Sequence, residues 1–110
     1  MYLSEETWRN NGVRSDIDMH WYTSAGGMFP VKKYGDALKP LAEGKGIDLH
    51  FQHLIKKVDG ANRTVTFENT ATKEMVETDF DLLHVVPPNT THKFVRESPL
   101  TTTGNFIDVD

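Results

Sequence analysis

The chain has 110 residues, 37% of them hydrophobic, with twelve basic against sixteen acidic side chains and a net charge of −4. That length holds one domain, the acidic balance excludes a basic nucleic-acid footprint, and no apolar run approaches the roughly 20 residues of a membrane span. The absence of cysteine excludes disulfides, zinc–thiolate sites, thiol nucleophiles and dithiol redox chemistry within this chain.

Residues 2–11 predict a short helix closed by Asn10-Asn11-Gly12, with Gly12 suited to the left-handed position past a helix end. The helix starts at once, without the basic and apolar regions of a signal peptide. At the other end, Phe106-Ile107-Asp108-Val109-Asp110 reads as a strand cut without a tail. The chain is therefore expected to be an excised piece of something larger. Residues 17–23 predict a strand, and Ser24-Ala25-Gly26-Gly27 a loop. Pro30 suits the first turn of a second helix, where Val31, Tyr34, Leu38 and Leu41 recur on one apolar face. Pro40 is expected to bend or end that helix, and Gly44-Lys45-Gly46 to close it. Ile47, Leu49 and Phe51 alternate, so a second strand begins at Ile47. Strand, helix and strand together predict a parallel crossover.

The pattern then changes. Residues 54–58 and 64–68 flank Asp59-Gly60, a hairpin signature. Asn69-Thr70-Ala71-Thr72 is a further turn, and residues 73–78 are a third, polar strand. Leu82, Leu83, Val85 and Val86 make residues 81–86 a nearly continuous apolar run, which predicts a central buried strand. Pro87-Pro88 stops it, and residues 89–105 form a long connection. The resulting fold class is α/β: an incomplete Rossmann-like domain with parallel strands, a strand–helix–strand crossover and an antiparallel β-meander. Its opening strand and Gly-rich turn are not seen. Residues 1–86 are read as the dinucleotide-binding-like domain and 87–110 as a crossover segment.

Few stretches carry chemistry. Asp16, Asp18 and His20 alternate and read as the solvated face of a strand. The Ser24–Gly27 loop has neither a GxGxxG nor a GKS/GKT pattern, and Thr23-Ser24 stand where an NAD site places an acidic residue. His50 and His53, three apart in a strand, are expected on opposite faces unless a bulge intervenes. One alternative is a cupin-like metal-binding β module using His50, Glu68 and His92, since residues 86–92 superficially resemble a cupin motif. The helix over residues 31–41 fits such a barrel poorly. The sequons at Asn62 and Asn89 carry no meaning without a secretory signal. Asp108 and Asp110 read as a solvated face, and no Ser/His/Asp or paired-carboxylate arrangement stands out.

Several stretches, in order along the whole chain, carry a family resemblance. They are Met1-Tyr2-Leu3-Ser4-Glu5, Val31-Lys32-Lys33-Tyr34 with Asp36-Ala37-Leu38, Phe67-Glu68-Asn69, Leu83-His84-Val85 with Pro87-Pro88, Ser98-Pro99, and Asp108-Val109-Asp110. With them the chain closely resembles the eukaryotic-type (type II) sulfide:quinone oxidoreductases of the pyridine nucleotide-disulfide oxidoreductase superfamily. The resemblance implies a parent flavoprotein that oxidises sulfide through two cysteines and passes electrons through FAD to a quinone. It implies that this piece is the second, NAD-like domain. The cysteines and the FAD motif then lie outside it, and membrane contact is made only through parts outside it. The parent is expected at a bacterial or mitochondrial inner membrane, and the piece itself to be soluble.

No catalytic residue, metal or cofactor is therefore assigned to the isolated chain, which is expected to be colourless, inert and unable to bind NADH. Val86, Pro87 and Pro88 are expected nearest the flavin, at the crossover to the FAD domain. His84 is expected to be a packed strand histidine. An unfilled strand slot between residues 17–23 and 81–86 is expected to make the piece a homo-oligomer.

Overall fold

The computed structural model describes residues 1–87, 89–101 and 106–107. In chain order the elements are α1 (Tyr2–Asn10), a 3-10 turn (Arg14–Asp16), β1 (Met19–Tyr22), α2 (Lys32–Gly44), β2 (Ile47–His50), β3 (His53–Asp59), β4 (Thr64–Asn69), β5 (Met75–Asp79) and α3 (Lys93–Arg96). β1 and β2 pair in parallel, Met19 beside Ile47 through Tyr22 beside His50. β3, β4 and β5 form a separate antiparallel sheet in that order. The expected crossover and meander are both present, and the fold is mixed α/β.

Local chemistry explains most boundaries. α1 ends as expected at Gly12, whose φ is +74°. The N–H groups of Gly12 and Val13 close the last turn on the carbonyls of Arg9 and Trp8, both at 3.0 Å. α2 runs through Pro40 to Gly44, so Pro40 does not end it. Proline at that position forfeits one backbone bond, and the helix continues past it. The face of α2 that turns inward also differs from the sequence pattern. Val31, Tyr34 and Leu41 are exposed, whereas Ala42 is buried and Leu38 half-buried. The inward stripe is thus Gly35, Leu38 and Ala42, with Ala42 at 0% exposure. A small residue there lets the helix lie close to the sheet.

β3 and β4 are joined by residues 60–63, where Asp59 accepts from the Asn62 backbone and side chain, both at 3.1 Å. The next turn is closed by Asn69, whose Oδ1 accepts from Ala71 and Thr72 N–H at 2.9 and 3.1 Å. The core is small: among the described residues Ala42, Ile47, Val65 and Phe67 are the buried apolar ones. Phe67 of β4 stacks on Tyr22 of β1, centroids 4.1 Å apart, and so joins the two sheets.

Residues 81–86 depart most from expectation. They form no strand, Leu82 and Val86 are 75% and 76% exposed, and His84 is exposed rather than packed. A buried parallel strand needs a ladder on which to bond, and among the described residues none pairs with this segment. Residues 106–107 are likewise not in a strand. Asp108, Asp110 and Pro88 lie outside the described residues.

Candidate functional site

The sequence candidates are not gathered at one place. His50, Glu68 and His92 each have separate surroundings. Glu68 is paired with Lys56 at 2.7 Å and Lys73 at 3.2 Å. Those two lysines, Lys56 foremost, hold its carboxyl below the usual range. His92 precedes α3 and stacks on Phe94. Among the described residues no group of three His, Asp or Glu side chains is arranged to hold a metal ion. Sheets of two and three strands also do not make a cupin barrel. Asp16 lies in the 3-10 turn and Asp18 before β1, both exposed with His20.

Ser24, Ala25 and Gly26 of the loop after β1 are exposed. A Cβ built on Gly26 or Gly27 meets no atom within 4 Å, so neither glycine is required by a close approach of the protein's own atoms. Beside the loop is an open hollow of ≈410 Å³ lined by Lys32 and Lys39. Both lysines already face acids of their own helix, Asp36 and Glu43. The loop carries neither glycine-rich phosphate pattern and both lysines beside it are ion-paired, so its residue chemistry does not favour a dinucleotide.

What the fold does assemble is an aromatic stack. Tyr22 lies between His50, centroids 4.2 Å apart, and Phe67. His53 meets Tyr22 edge-on at 5.7 Å. The two histidines thus share a neighbour instead of pointing apart. The reason is Gln52, whose φ of +60° breaks β2 from β3 and resets the alternation. That kink is held by backbone bonds from Gln52 to Ala25, from His53 to Thr23 and from Thr70 to Gln52. The Nδ1 of His20 lies 3.2 Å from the Nε2 of His50. Burial, then the neighbouring His20 and His53, push the His50 pKa down from 6.5. Burial, then the Asp48 charge, push Tyr22 up from 10.0. The stack sets an imidazole against a phenol, and no pair of carboxylates adjoins it.

Two further residues were not legible in the sequence. Arg14 donates to the carbonyls of Ile17, Lys45 and Gly46 at 2.6, 2.8 and 2.6 Å. It thereby supplies the cation that the last turn of α2 lacks. Glu5 is fully buried and bonded to Lys45 and Arg9. Lys45, then Arg9, hold its carboxyl below the usual range. Beside this scaffold a cleft of ≈1240 Å³ runs between β1 and residues 78–86. Val86 lines it and is exposed, so the side chain is available to a neighbour.

The structure joins a parallel strand pair and its crossover helix to an antiparallel meander. It superposes on the sulfide:quinone oxidoreductase of Aquifex aeolicus with TM-score 0.60 and 15% identity, over 67% of this chain and 18% of that one. A chain in the Tetrahymena thermophila mitochondrial ATP synthase structure matches 96% of this chain, with TM-score 0.71 and 20% identity, over 26% of its own length. At such identities the likeness is one of fold alone. The sequence goes further. It is 35%, 31% and 30% identical to the mitochondrial sulfide:quinone oxidoreductases of Schizosaccharomyces pombe, Dictyostelium discoideum and Mus musculus, each over 100% of this chain. The chain spans about a quarter of the length of these curated relatives. The resemblance to the sulfide:quinone oxidoreductases thus extends along the whole chain, as it would for an internal segment of one. No family profile matches the chain.

Proposed function

We propose that the chain is the second dinucleotide-binding-like part of a mitochondrial sulfide:quinone oxidoreductase. The observation that carries this is 35% identity along the entire chain to the S. pombe enzyme. In this reading the whole protein oxidises sulfide and passes electrons through FAD to a quinone at the inner membrane. FAD supplies the electron-carrying ring, and residues outside this chain hold it. Residues 1–86 contribute a rigid wall, and residues 87–110 lead back toward the FAD part. Val86 and Pro87, both exposed, and Pro88 are its flavin-proximal residues. The cysteine-free sequence, which offers no redox thiol, supports a scaffolding role. No described helix is long and apolar enough to cross a membrane.

The test replaces the corresponding quarter of the S. pombe enzyme with this chain. The chimera is expected to retain bound flavin and sulfide-dependent quinone reduction. The isolated chain is expected to take up no flavin, as read by its absorbance after incubation with FAD and desalting. A folded chimera without flavin, or an isolated chain that turns yellow and reduces quinone, overturns the proposal.

A further inference from the structure

β1 and β2 pair in parallel without a register break, so their side chains alternate in step. His20, Tyr22, Asp48 and His50 therefore share one face of the pair, opposite the buried Ile47. On that face the Nδ1 of His20 and the Nε2 of His50 are 3.2 Å apart. Two ring nitrogens are joined by a hydrogen bond only when one carries a hydrogen and the other a lone pair. The contact thus exists while the pair is neutral or carries one added proton. A further proton, taken from solvent, goes onto the nitrogen that was accepting. Two N–H groups then face each other, on rings of like charge.

The surroundings decide which ring gives way. His50 is held by two rings: it stacks on Tyr22 with 8° between the planes, and His53 meets it edge-on at 6.0 Å. The His20 side chain is 44% exposed, and its Nδ1 lies 3.7 Å from the Oδ2 of Asp48. A carboxylate thus stands within reach of the same nitrogen that faces His50. The other titratable groups around the pair are Tyr22 on β1 and His53 on β3. The Nδ1 of His53 is engaged by the Phe51 carbonyl at 2.7 Å. β4 brings Phe67 to the stack and β5 brings Thr78, neither of which titrates. Asp18, ahead of β1, is exposed.

We propose that His20 is a proton-operated latch on the Tyr22 stack, bonded to His50 until both rings are protonated and then swung onto Asp48. Its parts are residues of β1, β2 and β3, so it does not depend on what lies beside the β1 edge. What moves is one side chain, and the backbone pairing of β1 with β2 is kept. Release frees the Nε2 of His50 and sets an imidazolium against a carboxylate on the sheet face. The face thereby changes charge and shape in the range where histidines titrate. Because the rings titrate as a pair, the latch has one threshold that belongs to both.

The test is long-range 1H–15N spectroscopy of the imidazoles in the whole chain, with ring-to-ring NOEs, from about pH 8 to about pH 4.5. The NOE between the His20 and His50 rings is expected to vanish as the second ring protonates, while the NOE from His50 to Tyr22 stays. Asp48→Asn is expected to move that loss to lower pH, because the Asp48 charge favours a protonated His50. His20→Phe is expected to move the His50 midpoint upward, since it removes a like charge. Amide NOEs between β1 and β2 check that each variant keeps the strand pair. A His20–His50 NOE that persists when both rings are protonated overturns the proposal, and the parent chain alone decides this. A folded His20→Phe chain whose His50 midpoint stays or falls overturns it as well. So does a folded Asp48→Asn chain that loses the contact at the parent's pH or above.

Discussion

In the meander each connection is closed by residues within it. Asp59 holds the turn between β3 and β4, and Asn69 holds the turn between β4 and β5. Its two edges carry lysines or acids. In the parallel unit the closures come from far along the chain. Arg14 reaches the carbonyls of Lys45 and Gly46, Glu5 meets Lys45, and Tyr2 donates to the Leu38 carbonyl at 3.2 Å. Its β1 edge is bare. One region is specified by its neighbours in sequence, and the other by partners some 30 to 40 residues away, on the loop-closure side of the entropy balance. The parallel unit is therefore expected to open first, and the meander to persist.

The contact that binds the two regions gives the largest expected effect. Phe67 is 4% exposed and stacks on Tyr22 across the sheets. Phe67→Ala is expected to cost about 3–5 kcal/mol in urea unfolding, the range for a buried phenylalanine. Hydrogen exchange should quicken in both sheets together. Loss confined to the meander would show that the Tyr22 stack does not couple them.

Arg14→Ala separates the regions instead. It leaves the carbonyls at the end of α2 without their charged donor, an expected cost of about 1.5–3 kcal/mol. Amides of β1 and β2 should exchange faster while those of β3 to β5 keep their protection. Arg14→Lys should recover part of the loss, since one ammonium cannot reproduce a guanidinium fork across several carbonyls. Equal weakening of both sheets would break the contrast.

This contrast also explains what was legible in the sequence. Gly12, Asp59-Gly60, the Asn69 turn and the polar third strand are local signals, and each lies where expected. The crossover was legible because β1, α2 and β2 follow one another. The inward face of α2 was not, because Val31, Tyr34 and Leu41 have the right spacing but nothing described covers them. Residues 81–86 misled for the same reason: apolar composition describes a buried strand only where a ladder receives it. His50 and His53 converge through the left-handed Gln52, which no turn residue announced. Of the candidate site, Val86 and Pro87 are placed at the surface, but the stack of Tyr22, His50 and Phe67 was not foreseen. It is formed by three strands distant in sequence.

The smallest expected effect is a pH dependence, and it lies within that stack. Burial first, then His20 and His53, depress the His50 pKa below 6.5, with Asp48 opposing. A histidine whose folded pKa is depressed favours the fold when neutral. Its contribution is present above the unfolded value of 6.5 and is lost as pH falls from there through the folded pKa. Glu5, Asp59 and Glu68 have folded pKa values below their ordinary 4.5, 3.8 and 4.5, so their own contributions are lost only at lower pH. Between pH 6.5 and about 5 the slope of stability therefore reports on His50. His50→Phe keeps an aromatic ring against Tyr22 and removes the titrating group, while His20 and His53 remain in both proteins. Denaturant midpoints are expected to fall on acidification in the parent chain and less steeply in His50→Phe. Exchange of the β1 and β2 amides should follow the same curve. Identical slopes would mean that protonation of His50 does not disturb the stack, and that the parallel unit opens without regard to it.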